Sequence, residues 1–184
     1  TGFLGSGKST LLNDFLRRHG AADIGVIVNE FGDISIDHDL IERGTNEMAS
    51  VSTGCICCTA GSDVRVSLAE MLDTAKTSGR ALSHVIVETT GLADLAPVIN
   101  QLVPGGAAAT GLRDHVVARS FHLSGVVCTV DAVHAELTLD RFEECLRQIA
   151  FADRLLVTKS DMARDPATRG DTARLKARLK HINR

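Results

Sequence analysis

A glycine-rich stretch with a single lysine opens the chain and has the residue types that bind phosphate. It reads GFLGSGKST over residues 2–10 and fits the pattern G-x-x-x-x-G-K-[ST]. In this pattern backbone N–H groups surround phosphate oxygens, the lysine reaches the β- and γ-phosphates, and the next hydroxyl is placed for Mg²⁺. We therefore predict Lys8 as the catalytic cation and Ser9 as a Mg²⁺ ligand. The other predicted phosphate contacts are Gly2, Gly5, Ser6, Gly7 and Thr10.

A helix is predicted directly after this loop. Leu11, Leu12, Phe15 and Leu16 recur at helical spacing, so the N-terminal end of the helix would face the anion. The alternative is a glycine-rich turn that only caps a helix. Such a turn does not require a lysine at this position, so we favour the phosphate site.

A second acidic motif follows an apolar run at 85–87. Glu88 is followed by Thr-Thr-Gly91, in the order E-x-x-G. A carboxylate here can hold Mg²⁺ through water or orient the attacking water, and the Gly91 N–H can meet a γ-phosphate oxygen. The alternative is a solvated carboxylate at a strand end. Because the phosphate motif lies upstream, we predict Glu88 as the second catalytic residue.

The segment TKSD at 158–161 follows another apolar run and is similar to the [N/T]-K-x-D base-recognition element of GTPases. Asp161 can accept hydrogen bonds from guanine N1–H and the 2-amino group, and the stem of Lys159 can lie along the base. A polar turn in which Asp161 caps the next segment is the alternative. We predict that Thr158, Lys159 and Asp161 contact the nucleotide.

Three of the five cysteines lie within four residues, at Cys55, Cys57 and Cys58. Thiolates suit Zn²⁺, Co²⁺ or Cu⁺, and we expect Glu30 to supply a carboxylate ligand. In an extended chain Cys58 would face away from the other two, so convergence requires a turning loop. Buried packing cysteines or a strained Cys57–Cys58 disulfide are the alternatives. Cys128 and Cys145 are predicted to be packing residues.

The elements that must position these residues alternate between strand and helix. Strands are predicted at 24–28, 85–88, 125–130 and 155–157, and helices at 11–19, 64–78, 92–102, 141–152 and 172–182. This order predicts an α/β fold with a doubly wound, mainly parallel sheet. Ligands then bind outside the carboxyl ends of the strands, which places Glu30, Glu88, Asp131 and Thr158 on one rim. Residues 30–46 are expected to form a mobile loop beside the nucleotide.

Length and composition fit one domain, and we expect residues 1–184 to be a P-loop domain that lacks its first strand. The net charge of −3 gives no support for nucleic-acid or anionic-membrane binding. With no long apolar run and no visible signal peptide, a cytoplasmic location is expected. An odd number of clustered cysteines in such a chain indicates metal or redox chemistry more than a disulfide framework.

Six segments together resemble the signature segments of the CobW-type metallochaperone GTPases. They are GFLGSGKS at 2–9, NEFG at 29–32, GCICC at 54–58, ETTGLAD at 88–94, VDA at 130–132 and QIAFAD at 148–153. The resemblance implies a weak, Mg²⁺-dependent GTPase that binds GTP and GDP, holds Zn²⁺ or Co²⁺ at the cysteine motif and delivers it to a client protein. It also implies a C-terminal domain outside this sequence. Leu95 stands where the family often has proline, and Thr158 stands where asparagine is common.

Two other functions remain open at this point. A P-loop kinase or other NTPase with structural cysteines would turn over an added acceptor. A nucleotide-independent metal buffer would bind metal regardless of Lys8. The sequence leaves the metal, the client and the oligomeric state open, a homodimer included.

Overall fold

A computed structural model describes residues 1–19, 22–29, 56–60, 64–102, 112–164 and 172–183. The elements within these ranges are, in chain order, α1 (Lys8–His19), β1 (Ile24–Asn29), β2 (Ile56–Ala60), α2 (Val64–Thr77), β3 (His84–Thr89), α3 (Leu95–Leu102), α4 (Leu112–Ser120), β4 (Val127–Asp131), α5 (Ala135–Arg141), α6 (Glu143–Phe151), β5 (Arg154–Thr158), a 3₁₀ turn (Met162–Arg164) and α7 (Thr172–Ile182).

The chain divides into two compact units. The first contains Thr1–Lys8, Thr90–Ile99 and Leu123–Arg184, and the second contains Ser9–Thr89 and Asn100–His122. Every strand pair in the described ranges is parallel. The predicted α/β class with parallel strands is therefore confirmed.

The second unit contains a three-stranded sheet in the order β2-β1-β3. The central strand β1 carries the run Ile-Gly-Val-Ile-Val, and Val26 and Ile27 are almost fully buried. Such β-branched runs are typical of parallel strands that are covered on both faces. Leu16 of α1 packs with Ile24 and Val26, while Leu11 and Phe15 remain exposed. The predicted helix is confirmed. Fewer of its apolar side chains are buried than their helical spacing suggests.

The first unit is built on the pair β4-β5. Cys128 and Val130 of β4 pack with Leu139 of α5, Ile149 of α6 and Leu175 of α7, among others. Ahead of the phosphate loop, the Thr1 carbonyl accepts a hydrogen bond from Thr129 N at 2.9 Å. Gly2 forms a parallel bridge with the same residue. The chain therefore enters the phosphate loop alongside β4.

Four described elements were absent from the sequence prediction: β2, α4, α5 and the 3₁₀ turn. The cysteine segment was expected to be a loop, but residues 56–60 form β2 beside β1. Helices α5 and α6 are separate because Phe142 adopts an extended backbone between them, with φ −130° and ψ 114°. Among the described helices, none has the length and apolar character needed to cross a membrane.

Candidate functional site

The phosphate loop is closed by its own backbone. The Phe3 carbonyl accepts a hydrogen bond from Ser6 N at 3.1 Å and from Lys8 Nζ at 3.3 Å. Gly5 and Gly7 have φ angles of 68° and 88°, in the left-handed region that glycine adopts without steric cost. The loop therefore turns back on itself and carries the lysine at the start of α1. This arrangement is what the sequence motif predicts for a phosphate site.

Thr158 connects the predicted base-recognition segment to the phosphate loop. Its hydroxyl donates to the Ser6 carbonyl at 2.8 Å, and an added Cβ on Gly7 would lie 3.8 Å from the Thr158 methyl. The family resemblance implies that an amide is lost at position 158, where Thr158 stands in place of a common asparagine. In this chain the Thr158 hydroxyl supplies a donor to the loop. Asp161, the predicted guanine acceptor, lies exposed in the turn that follows β5.

Asp131 holds the head of Lys159. The Lys159 ammonium lies 2.8 Å from Asp131 Oδ2, and Lys159 adopts a left-handed backbone with φ 54°. The other carboxylate oxygen accepts the Val133 N–H at 2.8 Å, and His134 Nδ1 lies 3.1 Å from Oδ2. Burial raises the pKa of Asp131, but the hydrogen bonds from Lys159, Val133 and His134 outweigh it and lower the pKa below its ordinary value.

The turn after β3 lies against the phosphate loop. An added Cβ on Gly91 would come within 2.6 Å of Leu4 N and 2.7 Å of Leu4 Cα, so only glycine fits there. Within the first unit, Gly91 of the E-x-x-G motif therefore lies directly against the phosphate loop. Whether the Gly91 N–H meets a phosphate oxygen stays a prediction.

In the second unit, the two predicted Mg²⁺-linked residues are in direct contact. The Ser9 hydroxyl donates to Glu88 Oε1 at 2.6 Å. Mg²⁺ binds oxygen ligands at about 2.0–2.1 Å in octahedral geometry, so two adjacent ligand oxygens stand about 3 Å apart. A hydroxyl and a carboxylate at this separation are suited to that ion, either directly or through water. The donor set therefore fits Mg²⁺ at Ser9 with Glu88 beside it.

The backbone of β2, which contains Cys57 and Cys58, lies in the same sheet as Glu88. In the register of that sheet, Val28 of β1 pairs with Glu88 on one side and with Thr59 on the other. Cys58 directly precedes Thr59 and pairs with Ile27. Adjacent strands lie about 4.8 Å apart, which places the backbones of Glu88 and Thr59 about 10 Å from each other. Glu30 and Cys55, the other predicted metal ligands, lie outside the described residues, as does the predicted loop at 30–46.

Cys128 and Cys145 are packing residues, as predicted. Both are free, buried and part of the core of the first unit. Burial raises the pKa of the Cys128 thiol to about 11 and also raises the pKa of Cys145. Buried neutral thiols are poor nucleophiles and poor metal ligands. The side chains that the structure describes contain no group of three or more His, Cys, Asp or Glu placed to hold a metal ion.

Two contacts of the site were not predicted from the sequence. Asp131 was predicted only as a rim residue, and its contact with Lys159 depends on the pairing of β4 with β5. Gln148 belongs to the QIAFAD segment, yet its amide contacts the turn that contains Gly91. The sequence offered one clue to Gln148: it is a polar residue on the face of α6 that otherwise carries Cys145 and Ile149.

The parallel strands and the phosphate loop at the start of a helix define an α/β nucleotide-binding domain of the P-loop class. The family model described as "CobW/HypB/UreG, nucleotide-binding domain" matches residues 1–184. The chain belongs to this family, and the resemblance found in the sequence is confirmed.

Individual relatives agree with this assignment. The chain is 35% identical over 183 residues to the zinc chaperone YjiA of Escherichia coli and covers 53% of that protein. It is 34% identical over 150 residues to the zinc chaperone CobW of a Sinorhizobium species, with 78% of this chain and 38% of the relative covered. The crystal structure of Zn(II)-bound YjiA GTPase matches 99% of this chain and 52% of its own, with a TM-score of 0.71 and 32% identity. The chain thus spans about half or less of these relatives.

Proposed function

We propose that this chain is the GTP-binding and GTP-hydrolysing domain of a metallochaperone. It binds Zn²⁺, or Co²⁺, at Cys55, Cys57 and Cys58 and transfers the ion to a client protein. The relatives named as zinc chaperones support the cargo, and the phosphate loop supports the nucleotide.

One observation carries the proposal: the hydrogen bond between Ser9 and Glu88 at 2.6 Å. It joins the phosphate motif to the strand β3, and β3 is joined through β1 to the strand that contains Cys57 and Cys58. A change at the nucleotide can therefore reach the cysteine strand through one three-stranded sheet. This route lies entirely within the second unit.

Each residue then has a defined task. Lys8 binds the β- and γ-phosphates, Ser9 would hold Mg²⁺, and Glu88 would hold it through water or orient the attacking water. Mg²⁺, when bound, neutralises the charge that develops on the phosphates. Asp161 reads the guanine edge, while Thr158 and Lys159 keep its segment attached to the phosphate loop and to β4.

Metal content and nucleotide turnover test this function together. The chain is purified in the presence of GTPγS, its metal content is measured by elemental analysis, and GTP hydrolysis is followed with and without Mg²⁺. We expect close to one Zn²⁺ or Co²⁺ per chain, lost in Cys57→Ser, and Mg²⁺-dependent hydrolysis, lost in Lys8→Ala. Turnover of an added acceptor with cysteine-independent activity would instead identify a kinase. Metal binding that is unaffected by nucleotide and by Lys8→Ala would identify a metal buffer.

A further inference from the structure

The side chain of Gln148 is almost fully buried and binds the turn after β3. It is 1% exposed, and its Nε2 donates to the carbonyl of Gly91 and to the carbonyl of Ala93, both at 3.1 Å. Gln148 lies on α6, 57 and 55 residues from these partners in the chain. A contact between such distant segments fixes the position of the turn relative to the helix.

The turn itself is compact and touches the phosphate loop. Ala93 N donates to the Thr90 carbonyl at 3.2 Å, which closes a four-residue turn with Gly91 at its second position. On its other side, Gly91 is so close to the backbone of Leu4 that no Cβ could be accommodated. Gly91 therefore lies between two partners, the phosphate loop and the Gln148 amide.

The chemistry of the amide explains why glutamine stands here. A side-chain amide has two N–H donors, and both are used on carbonyl oxygens of the turn. A carboxylate or a hydrocarbon of the same length would leave these two buried acceptors without a donor, which costs free energy. The amide oxygen Oε1 is buried and has no hydrogen-bond partner in the described part of the chain. Within the described ranges, the polar contacts of this side chain are therefore all to the turn.

We propose that Gln148 is a positioning residue for the γ-phosphate-contacting turn, and that it sets how strongly the protein prefers the triphosphate over the diphosphate. This inference rests on the proposed function, in which the Gly91 N–H meets a γ-phosphate oxygen. By binding the carbonyls of Gly91 and Ala93, the amide fixes the orientation of the peptide groups in the turn. Without this amide, the turn is no longer held in one position. The affinity for a nucleotide whose γ-phosphate contacts the turn is then lower.

Nucleotide affinity in Gln148→Met tests the proposal. Methionine has nearly the same length and volume but no donor. We expect the Kd for GTPγS to rise about tenfold, while the Kd for GDP changes less than about twofold. Ile149→Val is the matched control, because it removes a buried methylene from the next residue of α6 and no hydrogen bond. This control should leave the ratio of the two affinities unchanged. Equal weakening of both nucleotides in Gln148→Met, or no weakening of either, would overturn the proposal.

Hydrogen exchange gives a second test that needs no nucleotide. In Gln148→Met the Ala93 N–H should exchange at least about tenfold faster, while amides in α7 keep their wild-type protection. Unchanged exchange at Ala93 would overturn the proposal even if the chain bound no GTP. Should Gln148→Met not fold, Gln148→Asn is measured instead. It keeps the amide but is one methylene too short to reach both carbonyls, and the same results are expected.

Discussion

The Ser9 hydroxyl and the Glu88 carboxylate are in hydrogen-bond contact at 2.6 Å, although 79 residues separate them in the chain. Ser9 follows Lys8, the proposed phosphate-binding residue, and Glu88 lies in β3 beside the central strand of the sheet. The contact brings together two oxygen ligands of the kind that Mg²⁺ prefers.

Substitution of Glu88 should lower the rate of GTP hydrolysis while leaving nucleotide binding largely intact. Glu88→Gln keeps the size of the side chain but removes its charge, so it should lower kcat for GTP hydrolysis by about 10²-fold. GDP affinity should change little, because the phosphate contacts of Lys8 and the loop remain. Steady-state hydrolysis and fluorescent-nucleotide titration measure the two quantities. Wild-type kcat in this variant would remove Glu88 from the catalytic machinery.

If Asp161 reads the base as proposed, the preference for guanine should depend on its carboxylate. Asp161→Ala removes the acceptor for two donors of the base, each worth about 1.5–3 kcal/mol to a charged partner. We expect GTP affinity to fall at least about tenfold and ATP affinity to stay the same, measured by competition against a fluorescent nucleotide. An equal loss for both nucleotides would show that Asp161 does not read the base.

The hydroxyl of Thr158 should be needed for nucleotide binding. Thr158→Val has the same shape without the donor to the Ser6 carbonyl, so it should weaken GTP and GDP alike by about fivefold, or about 1 kcal/mol. Thr158→Asn supplies a side-chain donor again and is the matched control. Wild-type affinity in Thr158→Val would show that the 2.8 Å contact is dispensable.

Acid should remove the contribution of Asp131 to stability. Its pKa is below the ordinary value of 3.8 because the hydrogen bonds from Lys159, Val133 and His134 outweigh burial. The ionised group is therefore stabilising above pH 3.8, and this stabilisation is lost as the pH falls through the folded-state pKa. Asp131→Asn should lower stability by about 2 kcal/mol at pH 7, and the difference should shrink at pH 3. Thermal melts at both pH values measure it; a difference that is independent of pH would contradict the assignment.

Zinc binding should require the cysteine motif and should depend on the protonation state of its thiols. Cys57→Ser should lose the metal, whereas Cys145→Ala, a buried thiol in the core, should keep it. Because thiolates must lose their protons to bind metal, zinc affinity in the wild type should fall as the pH is lowered. Direct titration with a zinc-competing chelator at pH 6 and pH 8 measures both effects. Zinc retained by Cys57→Ser would place the metal elsewhere.

The sequence predicted the elements whose signals are local. The β-branched run around Val26 and the apolar residues after Lys8 gave β1 and α1 close to their observed bounds. The chemistry-bearing ends of the strands, such as Glu88 and Thr158, were also found, because apolar runs that stop at a polar residue are visible in a single sequence.

Features that depend on distant contacts were missed. The strand β2 contains few strand-favouring residues, and its conformation comes from pairing with β1 in the register Gly25 to Ile56. The Gln148 amide contacts Gly91, 57 residues away in the chain, and the Asp131 carboxylate contacts Lys159, 28 residues away. No local sequence pattern encodes such contacts. Sequence motifs thus pointed to candidate ligands more readily than to the residues that position them.

The central claim is that nucleotide binding and metal binding are energetically coupled through the sheet β2-β1-β3. Competition calorimetry of Zn²⁺ binding in the presence of GTPγS, and then of GDP, tests it most directly. We predict affinities that differ by about 10- to 150-fold, a coupling of about 1.4–3 kcal/mol, and a difference that disappears in Lys8→Ala. Equal zinc affinity with the two nucleotides would contradict the account.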